Sequence, residues 1–169
     1  LAGHGRFPYQ PIVGRPHFAW PKGRGLAVYI ALNLEHFHFG EGLGAELVPG
    51  GHHPDVLNYA WREYGNRVGV WRLLELFDQL RLPVTVLVNA SIYDHCPEVM
   101  AAFRARGDEI VGHGRSNSER QGTLPEAEEA ALIAETTAAI AEAEGRPPAG
   151  WLGPWISQSH RTPDLLAEA

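Results

Sequence analysis

Residues 109–120 read EIVGHGRSNSER, and this stretch decides the fold that the sequence predicts. It begins as a short apolar segment, typical of a buried strand, which stops at His113. Small and polar residues follow at once, among them Arg115, Ser116 and Asn117. In α/β proteins the working side chains lie at the carboxyl ends of the strands. The stretch therefore predicts a functional site directly after this strand.

Other strands are predicted on both sides of it. Residues 26–34 read LAVYIALNL, a nearly continuous apolar run that is typical of a strand buried on both faces of a parallel sheet. Residues 84–90 read VTVLVNA and predict a second buried strand. Residues 149–155 read AGWLGPW and predict a short fourth strand or a strand end.

Helices are predicted between these strands. Residues 65–82 have apolar side chains near helical spacing, and residues 96–108 have proline near the start and glycine near the end, as helices do. Residues 124–145 are rich in Ala and Glu and predict a long helix. Thr162 as N-cap and Pro163 as the first helical residue predict another. Strands that alternate with helices imply an α/β fold with a parallel sheet or barrel.

Length and composition predict one domain. A chain of 169 residues, 44% of them hydrophobic, can bury one ordinary core. Residues 1–25 are rich in Gly, Pro and aromatic residues and predict an extended arm over the surface. Residues 26–169 carry the alternating pattern and predict the domain itself.

Charge and cysteine content exclude several classes of function. The 20 acidic and 14 basic residues give a net charge of -6, so no basic face is available for nucleic acid. The one cysteine, Cys96, excludes an internal disulfide framework and a thiolate metal cluster. No apolar run reaches the length of a membrane span and no signal-peptide pattern is present, which predicts a cytoplasmic protein without a membrane partner.

The strand ends carry the candidate site residues, because the carboxyl ends of parallel strands meet at one edge of a sheet. Four strand ends are expected to point at one site. In chain order they carry Asn33, Glu35 and His36; Asn89; His113, Arg115, Ser116 and Asn117; and Trp151, Pro154 and Trp155.

Each candidate has an expected role. Glu35 follows a buried strand, where desolvation would raise its proton affinity and suit it to act as an acid or base. His113 precedes Gly114, which lets substrate approach closely. Asn117 can donate to and accept from a substrate amide, and with Ser116 it can equally make turn contacts. Arg115 can bind an anionic or carbonyl group or form an exposed ion pair.

Trp151 and Trp155 bracket Pro154 at the predicted end of the fourth strand. Aromatic walls there would exclude water and stack on a flat ring or a sugar, and a packing role is the alternative. Asn33 is assigned to substrate binding with them. His36 belongs to a loop rich in histidine whose spacing matches no defined metal site.

These strand-end sequences resemble the polysaccharide deacetylase family, also called the NodB-homology or carbohydrate esterase 4 domain. LNLEHF stands where the family has T-F-D-D-G, HGRSN stands at H-S/T-x-x-H, and GWLGP stands at R-x-x-x-P. The resemblance covers residues 26–169 and implies a distorted (β/α) barrel that is incomplete at its C-terminus. Within the superfamily, the chain is most similar to the branch of metal-independent allantoinases.

In the family, an Asp and both His of the H-x-x-x-H motif hold a divalent metal, and another Asp is the general base. Here His113 matches the first metal His, Glu35 stands for an acidic residue, and Asn117 replaces the second His. His36 or Asn33 replaces the missing Asp, depending on the register. Because catalytic zinc needs three protein ligands, we expect no cofactor; if zinc or another divalent metal binds, Glu35, His36 and His113 are its ligands.

The resemblance implies a hydrolase of non-peptide C–N bonds, acting on a cyclic amide, a ureide or an N-acyl group, with Glu35 and His113 as its catalytic residues. The expected partner is a small polar substrate, and the expected assembly is a homo-oligomer. Two alternatives stay open. One is a metal-dependent carbohydrate N-deacetylase with a rearranged site, and the other is a degenerate barrel that binds its ligand without catalysis.

Overall fold

The computed structural model describes residues 3–169, and its centre is a parallel sheet of three strands in chain order. In the register of the sheet, Leu34, Val88 and Gly112 are neighbours at the carboxyl ends of the three strands. The residues that follow each strand therefore meet along one edge. The strands are β1 (Ala31–Leu34), β2 (Thr85–Val88) and β3 (Glu109–Gly112).

Helices connect the strands and cover the sheet. The α-helices are α1 (Val56–Tyr64), α2 (Val70–Leu80), α3 (Ile92–His95), α4 (Pro97–Arg106), α5 (Glu126–Glu144) and α6 (Thr162–Glu168). A π-helical turn, Gly65–Gly69, joins α1 to α2. Short 3-10 turns lie at Ile12–Gly14, Pro21–Gly23, Gln121–Thr123 and Pro154–Ile156.

The main core lies between the sheet and the helices. It combines strand residues such as Val86 and Val88 with Phe77 of α2, Phe103 of α4 and Ile140 of α5, all of them buried. A smaller cluster of Leu132, Ile133 and Leu165 packs α5 against α6. Burial of apolar surface is the dominant stabilising term in such a fold, so these contacts hold the strand ends in place.

The first strand differs from the prediction for residues 26–34. Only Ala31–Leu34 form β1, while Leu26, Val28 and Tyr29 are exposed. Within the described residues β1 is an edge strand that pairs only with β2. An apolar run predicts burial only where a layer covers it, and no described element covers residues 26–29.

A helix was predicted over 65–82, but the helical segment begins earlier, at Val56, and ends at Leu80. Asp55 caps α1, where its carboxylate accepts a hydrogen bond from the Asn58 backbone N–H at 3.0 Å. The prediction did not include α1, which the π-helical turn at Gly65–Gly69 joins to α2.

The helices predicted over 96–108 and 124–145 are confirmed as α4 and α5, each followed by a glycine in the left-handed region. Thr162 is the first residue of α6 and not its N-cap, because its hydroxyl donates to Glu129 instead of capping the helix. The fourth strand is reduced to a parallel bridge between Gly112 and Trp151.

The N-terminal residues lie outside the core. Residues 3–29 are exposed, and Arg6 contacts the rest of the chain through Asp164, at 2.9 Å. In the described part of the chain, no helix has both the length and the apolar character that crossing a membrane requires.

Candidate active site

Glu35 and His113 meet at the carboxyl edge of the sheet, as the strand-end pattern predicts. Oε1 of Glu35 lies 3.5 Å from Nε2 of His113. The imidazole is almost fully buried, with 2% of its side chain exposed, whereas the carboxylate retains 33%. The pair therefore joins a fixed, dry base to a carboxylate that a substrate can reach.

The orientation of His113 is set by a backbone carbonyl. Its Nδ1 lies 2.5 Å from the Leu152 oxygen, which can only accept a hydrogen bond, so Nδ1 carries the proton. In the neutral ring Nε2 then carries a lone pair, and it has no hydrogen-bond partner among the described residues although it is buried. In this tautomer Nε2 is a buried hydrogen-bond acceptor without a donor, and it can act as a base when a donor enters the site.

The surroundings of Glu35 correct its expected proton affinity. Asn33 donates to Oε1 at 3.2 Å. The pKa of Glu35 is lowered, first because the His113 ring can donate a hydrogen bond to the carboxylate when Nε2 carries a proton, and then because of hydrogen bonds with Asn33 and Asn117; burial opposes this and is outweighed. The expectation of a raised proton affinity was wrong, and Glu35 is an anion at neutral pH.

Asn89 ties the strand ends together. Its side chain is fully buried; its Nδ2 donates to the His113 carbonyl and, at 3.1 Å, to Oδ1 of Asn117. Its Oδ1 accepts from the backbone N–H of His36 at 2.8 Å. Asn117 is thereby held through its amide oxygen.

His36 points away from this pair. Its Nδ1 lies 2.9 Å from the Ser91 hydroxyl, and its ring stacks on His95 with centroids 4.1 Å apart. A metal that uses Glu35, His36 and His113 together does not fit this arrangement. Among residues 3–169, no group of three or more His, Cys, Asp or Glu side chains could hold a metal ion. Glu35 and His113 supply two donors where a catalytic zinc needs three.

Arg115 and Ser116 are engaged in local contacts. Arg115 donates to Glu119 at 2.7 Å and to Glu135 at 2.8 Å. The Ser116 hydroxyl accepts from the Ser118 backbone N–H at 3.2 Å. For Arg115 these contacts match the expected alternative of an ion pair, and for Ser116 they match the expected alternative of a turn contact.

Residues 151–155 pack against the chain on either side of His113, at Gly112 and Gly114. The Trp151 ring covers Gly112 so closely that a Cβ there would lie 2.6 Å from it, and its Nε1 donates to Gln121 at 2.9 Å. Pro154 packs in the same way on Gly114, and the Trp155 indole donates to the Asn117 carbonyl at 2.9 Å. Trp151 therefore contacts the backbone beside His113. The carbonyl of its neighbour Leu152 is the group that accepts from the His113 imidazole.

A pocket of about 340 Å³ opens beside Glu35 and is lined mainly by apolar groups. Besides Asn33 and Glu35, it includes Phe37, Arg62 and Asn66. Asn66 lies in the π-helical turn and donates to the Glu35 carbonyl at 2.8 Å. The sequence analysis did not name Asn66 and Arg62 as site residues, because they are distant from the strand ends along the chain. The glycines at the two ends of the π-helical turn were the local signal near them.

Comparison with known proteins places this geometry in context. Residues 52–169 match the family model for polysaccharide deacetylase. A peptidoglycan deacetylase from Helicobacter pylori is 29% identical over 103 residues, which cover 61% of this chain and 35% of that protein.

Solved structures show the same likeness. A probable polysaccharide deacetylase from Pseudomonas aeruginosa is 30% identical with a TM-score of 0.67, over 83% of this chain and 50% of that one. The Puue allantoinase is 27% identical with a TM-score of 0.75, over 96% and 58%. The chain thus spans about half the length of these two structures and less of the Helicobacter protein. The matches confirm the predicted fold, a part of a distorted NodB-type (β/α) barrel.

Proposed function

The chain belongs to the polysaccharide deacetylase family, and on that premise we propose that the protein is a hydrolase of non-peptide C–N bonds. The substrate is a cyclic amide, a ureide or an N-acylated compound that is small and polar. The observation that carries the proposal is the unpartnered Nε2 of His113, which faces the Glu35 carboxylate across 3.5 Å. Two acceptors that face one space bind a group with two O–H donors, and water is that group.

The chemistry follows from the charges and tautomer at the site. Water donates to Glu35 and to His113 Nε2, and the imidazole accepts its proton as the oxygen attacks the substrate carbonyl carbon. The imidazolium that forms is stabilised by the Glu35 anion and by the Leu152 carbonyl at Nδ1. It then donates this proton to the leaving nitrogen, so one residue serves as base and acid in turn. In this proposal the Asn117 side-chain N–H groups polarise the carbonyl.

The donor set supports the branch that resembles allantoinase over the metal-dependent one. Asn117 stands where the family has a second metal His, and its amide oxygen is bonded to Asn89. His36, the third expected ligand, bonds Ser91 instead. The rearranged metal site remains the second candidate function, and metal analysis separates the two.

Substitution of the pair tests the proposal in the full-length protein. Glu35→Gln and His113→Gln are each expected to lower kcat on the best substrate of an amide, ureide and N-acetyl sugar panel by about 100-fold or more. Glu41→Gln, which removes an exposed carboxylate from the loop after β1, is the matched control. Wild-type turnover in both site variants would refute the assigned roles. Binding of substrate with no turnover by the wild-type protein would favour the degenerate barrel.

Cytoplasmic location, homo-oligomeric assembly, and the division into an arm (1–25) and a domain (26–169) stay predictions from the sequence.

A further inference from the structure

Arg62 differs from the other half-buried arginines in having no carboxylate partner. Arg106 pairs with Asp108 at 2.6 Å, and Arg115 pairs with Glu119 at 2.7 Å. Within residues 3–169, Arg62 forms no ion pair, and its only side-chain hydrogen bond uses Nε. Its two terminal nitrogens, the pair that would bind a planar anion, are left without an acceptor among the described residues.

The guanidinium is nevertheless held in a defined place. Its carbon lies 3.7 Å from the centroid of the Phe37 ring, which it covers, and Nε donates to the Asn58 side chain at 3.2 Å. Asn58 is itself fixed by donating to the Gly44 carbonyl at 2.8 Å. A cation that is oriented from one side and unpaired on the other is preorganised for a ligand.

The pKa shifts of the arginines agree with a guanidinium at Arg62 that lacks an anionic partner. Burial lowers the pKa of Arg62, and the Glu35 charge offsets this only in part. For Arg115 the hydrogen bond with Glu119 raises the pKa above its ordinary value. Glu35 lines the same pocket as Arg62, but its contacts are made with Asn33 and His113.

We propose that Arg62 binds a carboxylate of the substrate in the pocket beside Glu35, so that the substrates of this enzyme are acids. A guanidinium matches a carboxylate with two parallel hydrogen bonds, and the apolar lining strengthens them by excluding water. A phosphate can pair with a guanidinium in the same way, but it carries more negative charge than a carboxylate and would lie beside the anionic Glu35 in the same pocket. The C–N bond to be cleaved then lies at the other end of the bound molecule, at Glu35 and His113. This inference rests on the proposed hydrolase function, because that function identifies the pocket as the substrate site.

Matched acid and amide ligands test it. The probes are hydantoin-5-acetate with hydantoin-5-acetamide, and N-acetylmuramate with its carboxamide, so that each pair differs only in the carboxylate. Binding is measured by calorimetry to full-length Glu35→Gln protein, which removes turnover from the readout. In at least one pair the acid is expected to bind about 10-fold or more tightly than the amide.

Arg62→Gln in the same background is expected to abolish that preference, because it weakens acid binding more than amide binding. Arg72→Gln, which removes an exposed arginine of α2 outside the pocket, is the control and keeps the preference. Equal binding of acid and amide in both pairs, failure of both acids to bind, or an acid preference that survives Arg62→Gln would overturn the inference. Loss of the preference in Arg62→Gln upholds it even if the wild-type protein hydrolyses none of the four compounds, an outcome that contradicts only the hydrolase.

Discussion

Oε1 of Glu35 lies 3.5 Å from Nε2 of His113, and that nitrogen is buried with no hydrogen-bond partner among the described residues. The carboxylate is anionic at neutral pH, so the ring either donates a proton on Nε2 to it or, as the neutral tautomer, needs a donor that bridges the two groups. Such an arrangement costs stability unless water, substrate or a proton occupies the space between them. The stability of this site should therefore respond to pH and to substitution of either group.

Glu35 is expected to make stability depend on acid pH. Its folded pKa is lowered by His113 and then Asn33, so its contribution is present above the ordinary value of 4.5 and is lost as pH falls through the lower folded pKa. Urea unfolding of wild type and Glu35→Gln should show a stability difference that shrinks as pH falls below about 4.5. Glu41→Gln controls for the loss of one negative charge. A difference that grows toward acid pH would contradict the lowered pKa.

His36 is expected to destabilise the fold when it is protonated. Burial first, and then the nearby rings of His95 and His38, lower its pKa from 6.5 to about 4, and Glu63 opposes this. The neutral ring is therefore favoured by folding, so its contribution is present above pH 6.5 and is lost as pH falls toward about 4. His36→Gln should flatten the stability profile across that window, measured by chemical unfolding at several pH values. An unchanged slope would refute the assignment.

Asn89 is expected to be among the most sensitive polar residues. Asn89→Ala leaves the buried His36 N–H without its acceptor and removes the donor to His113 and Asn117. Because each unsatisfied buried group costs about 1–3 kcal/mol, unfolding should be easier by about 3 kcal/mol.

Thr136→Val provides the contrast, since the Thr136 hydroxyl is buried with no partner among the described residues. Its removal should change the free energy of unfolding by less than about 1 kcal/mol or raise it. Similar losses in Asn89→Ala and Thr136→Val would show that these hydrogen bonds do not hold the strand ends.

Gly112 is expected to control activity through Trp151. A Cβ at Gly112 would lie 2.6 Å from the Trp151 ring, so Gly112→Ala must displace the segment whose Leu152 carbonyl orients His113. We expect kcat to fall by about 10-fold or more, with a smaller change in KM, because base geometry is lost. Gly150→Ala, where the new Cβ would meet Val111 at an ordinary 3.8 Å, is the control. Equal kinetics of the two variants would remove Leu152 from the mechanism.

Metal analysis is expected to favour the metal-independent reading. The full-length protein should contain less than stoichiometric zinc and keep its turnover in chelator, because Glu35 and His113 are two donors and His36 is bonded elsewhere. Stoichiometric zinc together with loss of activity in chelator would establish the rearranged deacetylase site instead.

Several features followed from local sequence signals. Apolar runs ending in polar residues predicted β2 and β3, and proline and glycine positions marked the ends of α4 and α5. The match of GDEIVGHGRSN to a family motif pointed to His113. The exposure of residues 26–29 and the course of α1 were not predictable in this way, because burial and helix continuation depend on what packs against a segment.

The sequence by itself determined which residues stand at the ends of the strands, since alternation and strand ends are properties of neighbouring residues along the chain. Only the tertiary structure decided that Glu35 faces His113 while His36 turns toward Ser91 and His95, and that Glu35 has a lowered pKa. It alone brought Arg62 into the same pocket. The physical reason is that charge and hydrogen bonding act through space, over a few ångströms, between groups that are far apart along the chain.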